Sequence, residues 1–368
     1  MGISDLSRIP EVAKSALSGK TCRLYRDPPP DSFADLPMAS PDPPHRAYMK
    51  IADGCSHRCS FCIIPKIRGR YRSVPMETAV DQARHLSAMG VGELTLVAQD
   101  TTLYGMDLYG RPRLAELLQR LSSVEGIRWI RLMYAYPTSL SVDVLKTMAT
   151  HKNICPYVDI PLQHSHGEVL RKMGRPHGTD PRAVIEKIRT YLPGAVIRTA
   201  FIVGHPGETG KRFEHLMDFV RESRFYHCGV FPYSPEEGTP SARFRTRPSG
   251  AEARRRADAL MEVQQEISLQ LRGELVGTTI SAVCEEILDE ETRAGEVMLD
   301  MNTGEISGLT NLPPGTIAIG RTINDAPEVD GLLFIKGPPP GPGSFFQCRV
   351  TGCTPYDTIG EVTDVQTP

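Results

Sequence analysis

Runs rich in Val, Ile and Leu recur at residues 46–53, 93–98, 127–134, 155–162, 195–203 and 225–233, and the longer stretches between them carry helical spacing. Short apolar strands alternating with helices predict a parallel sheet, because parallel neighbours must be joined by a long crossover, usually a helix. With right-handed crossovers the six units curl into a partial (β/α)6 barrel over residues 45–248, with functional groups expected at the C-terminal ends of the strands. Ser249 and Glu252 then form a capping-box pattern ahead of Ala253, Ala257, Leu260, Ile267 and Leu271, which predicts an amphipathic connecting helix within 249–277. From residue 278 the period changes. Short alternating runs at Ile280–Val283, Glu296–Leu299, Leu332–Ile335 and Phe345–Val350, broken by Gly, Pro and Asn, predict a small antiparallel β-barrel over 278–368. The segment Lys20–Pro44 holds Pro28, Pro29, Pro30, Pro37, Pro41, Pro43 and Pro44 and reads as a linker closing a leading section, 1–44.

Charge adds to this division. The net charge of the 368 residues is -2, but residues 281–368 hold 14 Asp plus Glu against 4 Lys plus Arg, a balance of -10 that leaves +8 on the rest. Such asymmetry predicts that the two parts meet different partners. No window is apolar enough to cross a bilayer, and Asp5, Arg8 and Glu11 are spread through a start that does not read as a leader, so a cytoplasmic protein is expected. Nine cysteines without such a leader point to a reducing compartment rather than to a disulfide framework.

Three of these cysteines are clustered. Cys55, Cys59 and Cys62 stand in Cys-Ser-His-Arg-Cys-Ser-Phe-Cys, directly after the first strand, where a barrel gathers its chemistry. Iron–sulfur clusters are normally held by four thiolates, so three on one short loop leave one iron open to another ligand. A Cys3His zinc site with His57 is the rival. His57 lies inside the first Cys-to-Cys segment, where reaching the same metal would strain the loop, and it reads instead as a solvated loop residue. Gln99 and Asp100 follow the second strand, Gln163 and His164 the fourth, and Gly204–Glu208 the fifth. The last of these lacks the Gly-Lys-Ser/Thr ending of a phosphate loop. Lys66, Arg68, Arg70 and Arg72 read as a solvated basic face, Cys155 and Cys228 as core, and Cys284, Cys348 and Cys353 as scattered thiols without a metal.

Longer stretches carry a resemblance. Gly54–Arg72, with Cys-Ser-Phe-Cys-Ile-Ile-Pro, together with Asp159-Ile-Pro-Leu-Gln-His164 and Arg198-Thr-Ala-Phe-Ile-Val-Gly-His-Pro-Gly-Glu-Thr209, resembles the methylthiotransferase branch of the radical S-adenosylmethionine (SAM) superfamily. Ala98-Gln-Asp-Thr-Thr102, Tyr134-Ala-Tyr-Pro137, Tyr233-Ser-Pro-Glu-Glu-Gly-Thr239 and Asp325-Ala-Pro-Glu-Val-Asp-Gly331 narrow it to the members that modify a ribosomal protein and end in a TRAM barrel. The resemblance implies one 4Fe-4S cluster on Cys55, Cys59 and Cys62, with SAM on the open iron and its adenine near Phe61. Gln99, Gln163, Arg198, Gly204 and Glu208 are the implied SAM contacts, Arg198 because a guanidinium can hold a carboxylate through paired hydrogen bonds. It assigns no catalytic side chain.

The implied reaction adds a methylthio group to the β-carbon of an aspartate in small-subunit ribosomal protein twelve. It would draw on an electron donor such as flavodoxin or ferredoxin and on a sulfur donor, with no membrane and no nucleic acid as direct substrate. Family members hold a second cluster in a preceding domain. Here Cys22 is the only cysteine before Cys55, and Gly2–Ser18 resembles the end of that domain, so incomplete sulfur insertion is expected. A MiaB-like transfer-RNA methylthiotransferase and a metal-stabilised, noncatalytic binding protein are the alternatives. His205 departs from the aromatic or apolar residue usual in the family.

Overall fold

The computed structural model describes residues 8–23, 41–176, 180–289 and 312–365. Its first sheet contains β1 (Arg46–Lys50), β4 (Glu93–Val97), β5 (Trp129–Leu132), β6 (Ile154–Asp159), β7 (Val196–Val203) and β8 (His227–Pro232), in that spatial order and parallel throughout. A two-stranded ribbon of β2 (Ala52–Asp53) and β3 (Arg72–Ser73) leads into and out of the cysteine loop. The outer face is covered by α3 (Met76–Ala88), α5 (Leu114–Ser122), α6 (Val142–Thr150), α8 (Pro181–Tyr191) and α9 (Gly210–Ser223). Shorter helices α2 (Ile64–Arg68), α4 (Met106–Tyr109) and α7 (Gly167–Lys172) lie among the loops, and α1 (Ile9–Leu17) precedes the barrel with no buried residue. Local sequence explains these helices: α5 buries Leu114, Leu117, Leu118 and Leu121, a three-and-four stripe, and Ser141, Asp180 and Thr209 cap α6, α8 and α9. The capping box also starts the long helix α10 (Gly250–Gly273), where the Glu252 N–H donates to Ser249 Oγ at 3.1 Å.

The strands face two cores. Leu94, Leu96, Ile130, Leu132, Val158 and Phe201 point to the helices. Their alternate neighbours Trp129, Cys155, Tyr157 and Val196 point into the concave side, where they pack against Val283, Ala326 and Phe345 of the C-terminal domain. The C-terminal domain therefore covers the open inner face of the partial barrel.

That domain is a closed barrel of β9 (Thr279–Ile287), β10 (Thr316–Thr322), β11 (Leu333–Lys336), β12 (Phe345–Cys353) and β13 (Thr358–Val365). Four of the five pairings are antiparallel, as expected, and β11 and β13 pair in parallel. A closed ring of five strands cannot alternate direction all the way round, so one parallel pair is unavoidable. The run Glu296–Leu299 lies outside the described residues.

The charge asymmetry has an internal partner. Glu93 of β4, fully buried, holds Arg131 at 3.0 Å and Arg321 of β10 at 2.5 Å. Arg321 also meets Glu285 at 2.6 Å, and Glu285 is reached by His45 at 2.8 Å and Arg46 at 3.2 Å. A second set joins Asp325 to Arg272 at 3.1 Å and Asp330 to Arg198 at 3.3 Å. Part of the acidic excess thus binds the two domains to each other, and Glu285 does not face an outside partner.

Burial alone would raise the carboxyl pKa of Glu285, but the His45 hydrogen bond and the Arg321 and Arg46 charges outweigh it and hold the group at about 2, against its ordinary 4.5. A depressed carboxylate stabilises the fold fully above its unfolded pKa and loses that contribution as pH falls through the folded one. Between pH 5 and pH 3 the urea midpoint is therefore expected to fall more steeply in the parent than in Glu285→Gln. Parallel slopes would remove Glu285 from the acid sensitivity.

Candidate active site

The cysteine loop is shaped by two close approaches. Gly54 has φ +77°, and a Cβ there would lie 2.2 Å from the Arg70 carbonyl oxygen, so only glycine can turn the chain beside the β2–β3 ribbon. On the other side the loop is held by the end of α7: the Ser60 N–H donates to Met173 O at 2.8 Å and Ser60 Oγ to Lys172 O at 2.6 Å. Gly174, φ +70°, packs against the loop so tightly that a Cβ would meet Arg58 O at 2.6 Å.

His57 is only partly exposed and is engaged on both sides. Its ring stacks on Tyr136 at 3.7 Å between centroids, and its Nε2 lies 2.6 Å from Oδ2 of the buried Asp100. The other Asp100 oxygen accepts from the Thr102 N–H at 2.9 Å, so the loop is tied to the end of β4. Two members of the basic run are also engaged, because Arg68 and Arg72 approach the buried Asp53 carboxylate at 3.9 and 3.8 Å. Burial explains both corrections: the loop folds back over the strand ends, which its local polarity does not reveal.

A cavity of about 690 Å³ opens at the C-terminal ends of the strands. Cys55, Cys59, Phe61, Cys62, Gln99 and Gln163 all line it, and so do Lys50, Tyr134, Tyr136, Arg175, Glu328 and Val329. Burial pushes the Cys55 thiol up to about 11 and raises that of Cys62. Among the described residues the thiols are not gathered at the spacing that grips a single ion. A cluster engages different irons through its different thiolates, and so suits a more open set. The fit to a bound polar cofactor shows in Gln99, whose buried Oε1 has no hydrogen-bond partner, since such an atom is costly to leave unpaired.

Tyr134 and Gln163 hold positive φ values of 57° and 72°, unusual for residues with side chains. Their backbones are pinned: the Tyr134 N–H donates to Asp159 Oδ2 at 3.0 Å, the Gln163 N–H to Ala200 O at 2.8 Å, and Gln163 O accepts from Ile202 at 2.8 Å. Non-glycine residues in this region cost about 1–3 kcal/mol each and concentrate at functional sites.

The remaining residues expected to touch SAM do not line this cavity. Arg198 is engaged by Asp159 at 3.1 Å and by Asp330 at 3.3 Å. Glu208 is fully buried, bonded to His164 at 3.1 Å and Arg256 at 2.6 Å, and accepts from the Gly204 N–H at 2.9 Å. Asp330 and Arg256, distant in sequence, thus meet Arg198 and Glu208, and Glu208 in turn holds the Gly204 N–H. His205 sits behind the cysteine loop. Burial pushes its pKa down to about 4, its ring meets Tyr233 edge-on at 4.9 Å, and its Nε2 lies 2.8 Å from Ser241 Oγ, which in turn donates to Ser60 Oγ at 2.7 Å.

Sequence reasoning missed Arg175, Glu328 and Val329 as lining residues. Glu328 and Val329 belong to the β10–β11 connection, which reaches the cavity edge and is anchored where Tyr48 Oη donates to Pro327 O at 2.8 Å. No periodic signal marks such a crossing. For Arg175 the only hint was Gly174, a glycine directly after a helix.

Comparison with known proteins agrees with this architecture. Residues 49–220 match the model of the radical SAM superfamily, and residues 310–363 match that of the TRAM domain. The ribosomal protein uS12 methylthiotransferase RimO of Synechococcus sp. (strain RCC307) is 42% identical over 373 residues, covering 100% of this chain and 71% of that protein. The protein of the same name from Heliobacterium modesticaldum is 40% identical, covering 99% and 74%. Among solved structures, coproporphyrinogen III oxidase (HemN) from Escherichia coli aligns with a TM-score of 0.44 at 17% identity, over 74% of this chain and 63% of that one. With close to two-fifths of its residues shared along nearly its whole length, the chain belongs to the RimO family and is a radical SAM methylthiotransferase.

Proposed function

We propose that this enzyme adds a methylthio group to the β-carbon of one aspartate of ribosomal protein uS12, with the reaction housed in the cavity bounded by the cysteine loop. The observation that carries the reading is the convergence of Cys55, Cys59 and Cys62 with the unpartnered Gln99 amide on that single cavity. Cys55, Cys59 and Cys62 would hold a 4Fe-4S cluster, and Phe61, Gln99 and Gln163 would lie against SAM. Together, when bound, these groups supply a carbon-centred radical able to take hydrogen from an unactivated C–H bond, which no side-chain base can do.

The chain's own part is to position and to shield. Ile64, Val97, Ala98 and Ala135 give the cavity an apolar lining that limits water access to a reactive centre. The Gln99 oxygen offers a free acceptor to an N–H or O–H of a bound molecule. The pinned backbones of Tyr134 and Gln163 fix two walls before any ligand arrives.

In this reading residues 45–248 form the radical SAM core, 249–277 the connecting helix and 278–368 the TRAM-like barrel, while 1–44 is the end of a leading domain and its linker. A small carrier such as flavodoxin or ferredoxin would deliver the electron, and a separate donor the sulfur. No described helix is long and apolar enough to cross a membrane, and a ribosomal substrate would be met in the cytoplasm.

The 368 residues contain one cysteine triad of this spacing, so we assign them one cluster. Anaerobic reconstitution should give about four irons per chain and release of deoxyadenosine from SAM. The mass of uS12 after incubation with the same preparation, a reductant and a sulfur donor tests the substrate: a methylthio gain on uS12 supports it, and modification of transfer RNA instead would overturn it.

A further inference from the structure

We propose that His205 is a proton acceptor coupled to the charge of the cysteine loop, taking up one proton as the site takes up one electron. The proposal rests on the reading that Cys55, Cys59 and Cys62 hold a redox-active cluster, and it gives a role to a buried side chain that this reading leaves unused.

The observation is a chain of four short polar contacts behind the loop. His205 Nδ1 lies 3.0 Å from Pro206 O and its Nε2 lies 2.8 Å from Ser241 Oγ; Ser241 Oγ lies 2.7 Å from Ser60 Oγ, and Ser60 Oγ lies 2.6 Å from Lys172 O. Both ends are backbone carbonyls, which only accept. Four contacts therefore need four protons, whereas a neutral imidazole and two serine hydroxyls supply three. Whichever tautomer and hydroxyl rotation is taken, one contact is left with two lone pairs facing each other. His205 and Ser241 are fully buried, so solvent does not relieve the shortfall. An imidazolium supplies the fourth proton and completes the chain.

What the fold withholds is a counter-charge for that imidazolium. The groups facing His205 are Glu208 and His164, Lys172 at the end of α7, Tyr233 after β8, and Phe61 of the cysteine loop, edge-on at 6.4 Å. Glu208 is the one carboxylate among them, and it is already held by Arg256 of α10 at 2.6 Å and by His164 at 3.1 Å. Burial and the Lys172 charge favour the neutral ring. Negative charge gathered on the adjoining loop reverses that preference, and Ser60, the last hydroxyl of the chain, stands between Cys59 and Cys62.

The electron comes from the one-electron carrier of the proposed reaction, and the proton from solvent. The proton joins the imidazole nitrogen that lacks one, no bond between heavy atoms forms or breaks, and the charge gained by the ring offsets the electron. Linkage makes the effect reciprocal: a proton on His205 favours the electron as much as the electron favours the proton.

The reconstituted holoenzyme, without SAM, is poised with low-potential mediators at one fixed potential across about pH 5 to 8, where histidine ordinarily titrates. Electron paramagnetic resonance reads the reduced fraction. In the parent the ratio of reduced to oxidised cluster is expected to rise about three- to tenfold for each tenfold rise in proton concentration, tenfold being one proton coupled fully to one electron. His205→Gln, which can still bond Ser241 but takes no proton, and His205→Phe are expected to hold the ratio within about twofold over the same range. Ser241→Ala, which removes the acceptor of the Nε2 proton, is expected to fall between them and the parent.

A ratio independent of pH in the parent, or the same dependence in parent and His205 variants, would overturn the proposal. So would loss of iron from both His205 variants, which would make the ring a support of the loop and nothing more. A parent that formed no reducible cluster would sink the functional reading itself.

Discussion

Replacing any one of Cys55, Cys59 or Cys62 with Ala is expected to abolish iron binding and SAM cleavage together. Each thiolate is one of only three ligands that the loop can offer, and all three line one cavity. Losing one would leave a second iron of the proposed cluster open and take away a third of its protein attachment. The loop should survive the change, because its shape depends on Gly54, on Ser60 held by Met173 and Lys172, and on His57 stacked over Tyr136, not on the thiols. Iron content, the visible absorption of the cluster and deoxyadenosine release would be measured with far-UV circular dichroism as the folding control. Full iron loading with undiminished release in all three variants would refute the assignment of the loop.

The second large effect lies between the domains. Arg321→Ala is expected to destabilise the protein by about 3–5 kcal/mol, the usual cost of breaking a buried ion pair from one side. Arg321 is 3% exposed and meets Glu93 and Glu285, while its Nη1 donates to Asp325 O at 3.1 Å. Removing it leaves Glu93 with Arg131 alone, and leaves Glu285 with His45 and Arg46. Urea unfolding followed separately in the two domains would show the loss, and Arg321→Met, which keeps much of the volume, would separate charge from packing. The consequence should extend to the site, because Glu328 and Val329 of the same domain line the cavity. A loss below about 1 kcal/mol would mean that this network contributes no more than a surface pair.

Much of this arrangement was legible along the chain. Six apolar runs matched the six strands to within a few residues, since a strand buried on both faces must be apolar along its length. The capping box placed the start of α10, because a cap acts over three or four residues. Cys55, Cys59 and Cys62 could be placed together for the same reason: their spacing keeps them on one short loop, and all three line one cavity.

What misled was whatever depended on a distant partner. Arg198 shows no partner along the chain, and Asp330, 132 positions later, meets it across the domain interface. His57 looked solvated until it stacked on Tyr136 and bonded Asp100. The acidic excess of the last section pointed to a different partner for it, yet Glu285 and Asp330 meet Arg46 and Arg198 of the core and Asp325 meets Arg272 of the connecting helix.

The sequence by itself determined the periodicities, the helix caps, the glycine turns and the cysteine loop, because each is set by interactions among residues a few positions apart. Only the tertiary structure decided which charges neutralise one another and which are left without a partner. Arg131, Arg256, Arg272 and Arg321 each found a carboxylate in the fold, and Arg175 did not. The physical reason is that pairing a buried charge is a property of three-dimensional proximity and desolvation, and neither is encoded in the spacing of neighbouring residues.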